Sequence, residues 1–169
     1  ANYSISTGQT TTANVTAKDL TVSGITASNK VYDSTTNATT VLSFSGLIGS
    51  ETINNTNSST FDNKNIGTGK TVTVNSLTLV DGSNGGLASN YSISSGQTTT
   101  ANVSARPLTV SNISASNKSY DGTTAVTLDT SNVSYNGLVS GDDFSESFSG
   151  LFANENIGIG RIVNITSSY

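Results

Sequence analysis

The sequence predicts an all-β protein made of tandem small modules, each a β-sandwich or β-grasp-like unit, stacked end to end. Three observations predict it. Long stretches of the chain are duplicated, its apolar residues recur with a period of two, and no window shows a capped, amphipathic helical pattern.

The duplication can be followed from the first residues. Asn2-Tyr3-Ser4-Ile5-Ser6 returns as Asn90-Tyr91-Ser92-Ile93-Ser94, and the eight residues from Gly8 to Val15 return unchanged as Gly96 to Val103. Leu20-Thr21-Val22-Ser23 matches Leu108-Thr109-Val110-Ser111. Ser28-Asn29-Lys30-Val31-Tyr32-Asp33-Ser34 matches Ser116-Asn117-Lys118-Ser119-Tyr120-Asp121-Gly122, 88 residues later. From Gly46-Leu47 and Gly137-Leu138 onward the spacing is 91, so three residues are inserted, and a loop near Asp129 to Asn132 is the place for them. Residues 1–17 therefore read as the terminal strand segment of a preceding or neighbouring repeat, 18–105 as a complete repeat, and 106–169 as a second repeat lacking its last strands. The chain looks like an interior piece of something longer. A strand donated to a neighbouring chain is a second account of the same boundaries.

Within each repeat the local signals are those of strands. Lys70-Thr71-Val72-Thr73-Val74 alternates strictly, and Arg161 to Ile165 does so in its odd positions. Leu20 and Val22 share a parity that Ile25 breaks, which places a bulge at Gly24; Asn75-Ser76 resets the facing of Leu77 and Leu79 in the same way. Asp81-Gly82-Ser83-Asn84-Gly85-Gly86 is a turn by composition. Tyr32-Asp33 and Tyr120-Asp121-Gly122 read as a buried tyrosine anchor followed by a tight turn into a new strand. Since Ser34 stands where Gly122 does, that turn is expected not to demand a positive φ. The expected core is Leu20, Val22, Ile25, Tyr32, Phe44, Leu47, Phe61, Ile66, Val72, Val74 and Tyr91. Its counterparts are Leu108, Val110, Ile113, Tyr120, Tyr135, Leu138, Phe152, Ile157, Val163, Ile165 and Tyr3.

Composition narrows the function classes. Charged residues make up 11% of the 169, against roughly 25% in ordinary globular proteins. Leu, Ile, Val and Phe number 39, about 23%, just above the roughly 20% below which chains stay disordered. Modest cores under a hydroxyl-rich, nearly neutral surface follow. With no His and no Cys, the commonest general base, disulfides, thiolate chemistry and Cys-based metal sites are absent. Seven Lys and Arg spread thinly in a chain of net charge −4 offer no stripe for phosphate backbones, so nucleic-acid binding is not expected. No apolar run reaches membrane-spanning length.

The ordered set Leu108-Thr109-Val110, Asn117-Lys118-Ser119-Tyr120-Asp121-Gly122-Thr123-Thr124, Gly137-Leu138-Val139-Ser140-Gly141-Asp142, Asn156-Ile157-Gly158-Ile159-Gly160 and Asn90-Tyr91-Ser92-Ile93 resembles the YDG-type repeats of large bacterial surface and secreted adhesins, many of them filamentous-haemagglutinin-like. The resemblance covers nearly the whole chain. Departures are Ser34 for the motif glycine, Gly49-Ser50-Glu51 for the usual Gly-Asp, and Asp19 where Pro107 stands in the second copy. It implies a non-enzymatic, extracellular stalk or fibre module with no catalytic or cofactor-binding residues. The partners it implies are neighbouring repeats and other copies of the chain. A ligand-binding adhesion module, for glycan, ice or a host protein, is the alternative.

Chemistry outside that reading is sparse. Asp142, Asp143 and Glu146 are the calcium candidates, weighed against solvated loop carboxylates; no other metal or cofactor is expected. No acid pair is singled out for glycoside hydrolysis. Thr71-Val72-Thr73 fits a flat ligand face or simply a water-facing strand. Lys30, Lys118, Gln9 and Gln97 are candidates for spontaneous amide cross-links.

Overall fold

Alternating apolar and hydroxyl side chains dictate the longest strands, because a period of two puts one set inside and the other in water. The computed structural model describes residues 2–169. It is all-β, and a single 3₁₀ turn at Ala88–Asn90 is the helical element among the described residues. The sheets include a curled half-barrel. Contacts divide the chain into two units, Ala1–Lys30 with Thr35–Ser104, and Val31–Ser34 with Ala105–Tyr169.

The first unit holds β1 (Lys18–Asp19), β2 (Thr21–Ala27), the Lys30 end of β3 (Lys30–Val31), β4 (Asn37–Ala38), β5 (Thr40–Ser45), β6 (Ile53–Phe61), β7 (Gly67–Asp81), β8 (Tyr91–Ser92) and β9 (Thr98–Ser104). Strands β2 and β5 pair antiparallel, β1 and β8 pair parallel, and a five-stranded sheet runs β3-β9-β7-β6-β4. The register of β2 on β5 shifts between Val22 and Gly24, and that of β6 on β7 skips Asn75. Both expected bulges are there. Val72 and Val74, two residues apart on the central strand β7, are wholly buried. Leu20, Leu42, Phe61, Tyr91, Ala101 and Val103 complete the core around them.

The second unit holds β10 (Thr109–Ser111), β11 (Ser114–Ala115), β12 (Leu128–Asp129), β13 (Ser134–Asn136), β14 (Ser147–Phe152) and β15 (Val163–Ser168). Many of its pairings repeat the first unit's, but neither bulge is repeated, so that Ser149 pairs Thr166 where the first-unit counterpart Ser58 skips Asn75 to pair Ser76. Ala115↔Leu128 repeats Ala27↔Thr40, Val110↔Tyr135 repeats Val22↔Phe44, and Phe152↔Val163 repeats Phe61↔Val72. The bridge Ala125↔Leu151 repeats Asn37↔Thr60. Where β5 is continuous, β12 and β13 are separated by the three-residue insertion. Asp129 Oδ1 closes that loop by accepting from the backbone N–H of Ser131 at 3.0 Å and from its hydroxyl at 2.7 Å.

The core differs from expectation on one side. Leu20, Phe61, Val72, Val74 and Tyr91 are buried as expected, while Leu42, Ala101 and Val103 join them unforeseen. Ile66 and Ile157 are exposed, because Asn63 and Asn154 fold their loops through side-chain bonds to the N–H of Asn65 and Asn156 and turn the isoleucines out. Tyr3, Val110, Tyr120, Leu138 and Ile165 are exposed too, Tyr120 by 66%. Among the described residues of the second unit none is fully buried. The reason is topological. Strands β8 and β9 supply Tyr91, Ala101 and Val103 to the first core, and β15 has β14 alone beside it among the described residues. Residues 2–17 form no strand and are exposed throughout.

Candidate functional site

The repeated Tyr-Asp stretch is held by a lysine three residues before the aspartate. In the second unit Lys118 Nζ donates to Asp121 Oδ1 at 2.8 Å, to the Thr123 carbonyl at 2.8 Å and to Thr123 Oγ1 at 3.0 Å. Asp121 Oδ1 also accepts from the backbone N–H and the hydroxyl of Thr123, both at 2.9 Å. The corner is thus a closed ring of charge-assisted bonds around one ammonium. In the first copy Lys30 Nζ reaches the carbonyls of Thr35 at 2.8 Å and Asn37 at 3.1 Å and Thr35 Oγ1 at 3.1 Å. Each ammonium also sits over a phenylalanine ring, Lys30 above Phe61 at 5.6 Å and Lys118 above Phe152 at 5.7 Å.

Electrostatics follow the bonds. The Lys118 ammonium, helped by the N–H and hydroxyl of Thr123, lowers the Asp121 carboxyl to about 2. Lys70 lowers Asp62 through the same kind of contact, 2.8 Å from Nζ to Oδ1. In the second unit Ala153 stands in place of Asp62, and one guanidinium nitrogen of Arg161, the counterpart of Lys70, is buried without a hydrogen-bond partner.

Two expectations are corrected at the corner. The turn takes a positive φ in both copies, 66° at Ser34 and 73° at Gly122, so serine here adopts the conformation that glycine enters freely. The tyrosine anchor is not shared: Tyr32 is half-buried, whereas Tyr120 lies open to solvent. The lysine and phenylalanine that fix the corner were not singled out as a pair from the sequence. The signal was present, because Lys30/Lys118 and Phe61/Phe152 are retained while Asp62 and Lys64 become Ala153 and Glu155.

A second fixed point is Tyr91. Its hydroxyl donates to Glu51 Oε2 and accepts from the Ile48 N–H at 3.1 Å, and the bond to Glu51 raises the phenol above its ordinary value. Glu51 donates its N–H to the Ile48 carbonyl at 3.0 Å; Asp142 does the same to Val139 at 3.1 Å. The calcium candidate Asp142 therefore holds the turn position that Glu51 holds in the first unit. No group of three His, Cys, Asp or Glu side chains among the described residues, Asp143 and Glu146 included, is arranged to hold a metal ion.

The hydroxyls of the strands are turned on one another. Thr21 and Ser45 share a bond of 2.6 Å across β2 and β5, Ser58 and Ser76 one of 2.6 Å across β6 and β7, and Ser149 and Thr166 one of 2.8 Å across β14 and β15. Buried Thr40 and Ser59 satisfy each other at 2.7 Å. Of the cross-link candidates, Gln97 Nε2 donates to the Ser94 carbonyl and Gln9 Nε2 to Ser6 Oγ, while both lysines serve the corner. No helix of the described residues is long and apolar enough to cross a membrane.

No curated protein and no solved structure matches the chain. The YDG domain model matches residues 16–101 and again 104–169, the same two stretches that carry the lysine-locked corners. On those two matches, one after the other over most of its length, the chain belongs to the YDG domain family.

Proposed function

We propose that the chain is a non-enzymatic spacer segment of an extracellular bacterial adhesin or fibre, in which repeated units provide length and carry a binding element elsewhere. The observation that carries this reading is the strand pairing that the two units share outside the first unit's bulges, with Val110↔Tyr135 repeating Val22↔Phe44 and Phe152↔Val163 repeating Phe61↔Val72. What the chain keeps between copies is what shapes the backbone: the Lys-Phe corner, the Asn-x-Asn loop of Asn63 and Asn65 that returns as Asn154 and Asn156, and the Gly-Leu turn. A protein selected for reaction chemistry keeps a particular set of reactive groups; one selected for span keeps a way of building the same unit again. The engaged hydroxyl pairs also favour a surface whose polar groups are spent on cohesion over one that offers them to a ligand.

Chains of two, four and six repeats imaged singly by atomic force microscopy test the spacer reading. Contour length should rise by a constant increment per repeat, and a length that fails to grow overturns it. Antibody labelling of intact cells tests the location, since a signal that requires permeabilisation contradicts an extracellular site. Saturable glycan or host-protein binding by the isolated chain would replace the spacer with an adhesive module.

A further inference from the structure

Three side chains meet at one nitrogen at the closed end of the β6–β7 hairpin. Lys70 shares the parity of Val72 and Val74, the buried residues of β7, so its stem enters from the inner face of the sheet. The stem lies against Gly67, where an added Cβ would come 3.2 Å from Lys70 Cγ and Cδ, and the side chain is 8% exposed. Asp62, the residue after β6, is held beside it by its N–H on the Thr71 carbonyl at 2.9 Å. Lys70 Nζ reaches both Asp62 Oδ1 and Asn63 Oδ1, each at 2.8 Å. Asn63 Oδ1 also accepts from the Asn65 N–H at 3.0 Å.

This set contains the parts that an amide transfer needs. Lys70 brings an amine, and Asp62 a carboxylate in contact with it to take its proton. The Asn63 carboxamide is the electrophile, and its carbon lies one bond length beyond the oxygen that the amine touches. When charge develops on that oxygen, the Asn65 N–H is in place to stabilise it. Contact within one hairpin also replaces a chance encounter between separate groups. The second unit keeps the loop and loses the reactive pair. Asn154 Oδ1 still accepts from the Asn156 N–H, at 3.1 Å, but Ala153 replaces Asp62 and Arg161 replaces Lys70. A guanidinium holds its proton and is no nucleophile. The loop therefore forms without the lysine and the aspartate, so shaping it is not what they are needed for.

We propose that Lys70 and Asn63 join spontaneously in an amide bond, with Asp62 as base and acid, closing residues 63–70 into a covalent ring. The Lys70 ammonium passes a proton to Asp62, and the freed lone pair on Nζ forms the bond to Asn63 Cγ. Asp62 hands that proton to Nδ2, and the Cγ–Nδ2 bond breaks with its electron pair on nitrogen. A second proton leaves Nζ by the same carboxylate, so ammonium is released and Asp62 ends as it began. The bond pins the turn between β6 and β7 in the first unit alone. It goes beyond the spacer reading and does not depend on it.

The intact mass of the full 169-residue chain should fall short of the sequence mass by one ammonia in nearly every molecule after prolonged incubation at neutral pH. Trypsin cuts after Lys64 and spares an acylated Lys70, so tandem spectra should show two peptides joined from Asn63 to Lys70. Lys70→Arg and Asp62→Ala, which install the residues of the second unit, should each restore the full mass, with circular dichroism as the check on folding. Ala153→Asp made together with Arg161→Lys should add a second loss, at Asn154. A chain of full mass, or a loss of ammonia placed at any other asparagine, overturns the proposal. An undiminished loss in Asp62→Ala overturns the part given to the aspartate. Contour length per repeat is untouched by any of these results, so the spacer reading fails or stands separately.

Discussion

Lys118 places its ammonium 5.7 Å from the centre of the Phe152 ring, and the pair recurs as Lys30 over Phe61 at 5.6 Å. The lysine is thereby fixed from two directions. The ring holds it from one side, and the carboxylate and carbonyl oxygens of the Tyr-Asp corner hold it from the other.

Lys118→Met and Phe152→Leu, made singly and together, measure that link. The double-mutant cycle should give a coupling of about 0.5–1 kcal/mol, the range for a cation over an aromatic face near the surface. Urea unfolding of the four proteins supplies the numbers. Additive effects would mean that the ring packs without holding the charge.

Acid should loosen the same corner. Asp121, lowered from 3.8 to about 2 by Lys118 and Thr123, binds its proton less readily folded than unfolded. Its contribution is therefore complete above about pH 4 and is lost as the pH falls through 2. Amide exchange at Thr123 and Phe152 should accelerate over that interval. Asp121→Asn should already exchange faster at neutral pH and lose this part of the acid dependence, leaving that of Asp62 and Asp129, which are also lowered.

Core truncation should distinguish the units. Val72 is wholly buried and its counterpart Val163 only half so. Val72→Ala should cost the first unit about 2–3 kcal/mol through lost burial and the cavity left behind. Val163→Ala should cost the second unit about half as much, measured by site-resolved exchange under rising denaturant.

Two glycines with positive φ should respond unequally to alanine. Gly122, at 73°, faces open space, so Gly122→Ala should cost about 1 kcal/mol for backbone conformation alone. At Gly137, with φ of 100°, an added Cβ would lie 2.6 Å from the Pro107 carbonyl oxygen. Gly137→Ala should cost well over twice as much, because the obstacle is backbone and has no rotamer to change. Thermal melts compare the two.

Much of the architecture could be read from the residues. Alternation at Val72 and Val74 announced the central strand, the parity breaks announced the bulges at Gly24 and Asn75, and the change in spacing located the loop after Asp129. Those signals are local, set by which side of a pleat a residue faces. Burial is not local. Gly8–Val15 and Gly96–Val103 carry one sequence and two conformations, so no inspection of that stretch alone could say which copy is a strand. The exposure of Ile165 escaped for a related reason, since its counterpart Val74 sits in a sheet that β9 completes. The corner was found by its repetition, but its working parts were not. Lys118 and Phe152 lie 34 positions apart, and the bridge of Ala125 with Leu151 and the bond from the Phe152 N–H to the Thr124 carbonyl bring them together.

The hydroxyl pairs across the strands carry a consequence for the medium the protein can tolerate. Thr40 with Ser59, Ser58 with Ser76 and Ser149 with Thr166 join neutral groups over a single bond length. Dissolved ions screen separated charges and have little to act on in such contacts. Outside its lysine–aspartate links these contacts offer salt no charge to screen, so a rise in salinity should not loosen its sheets.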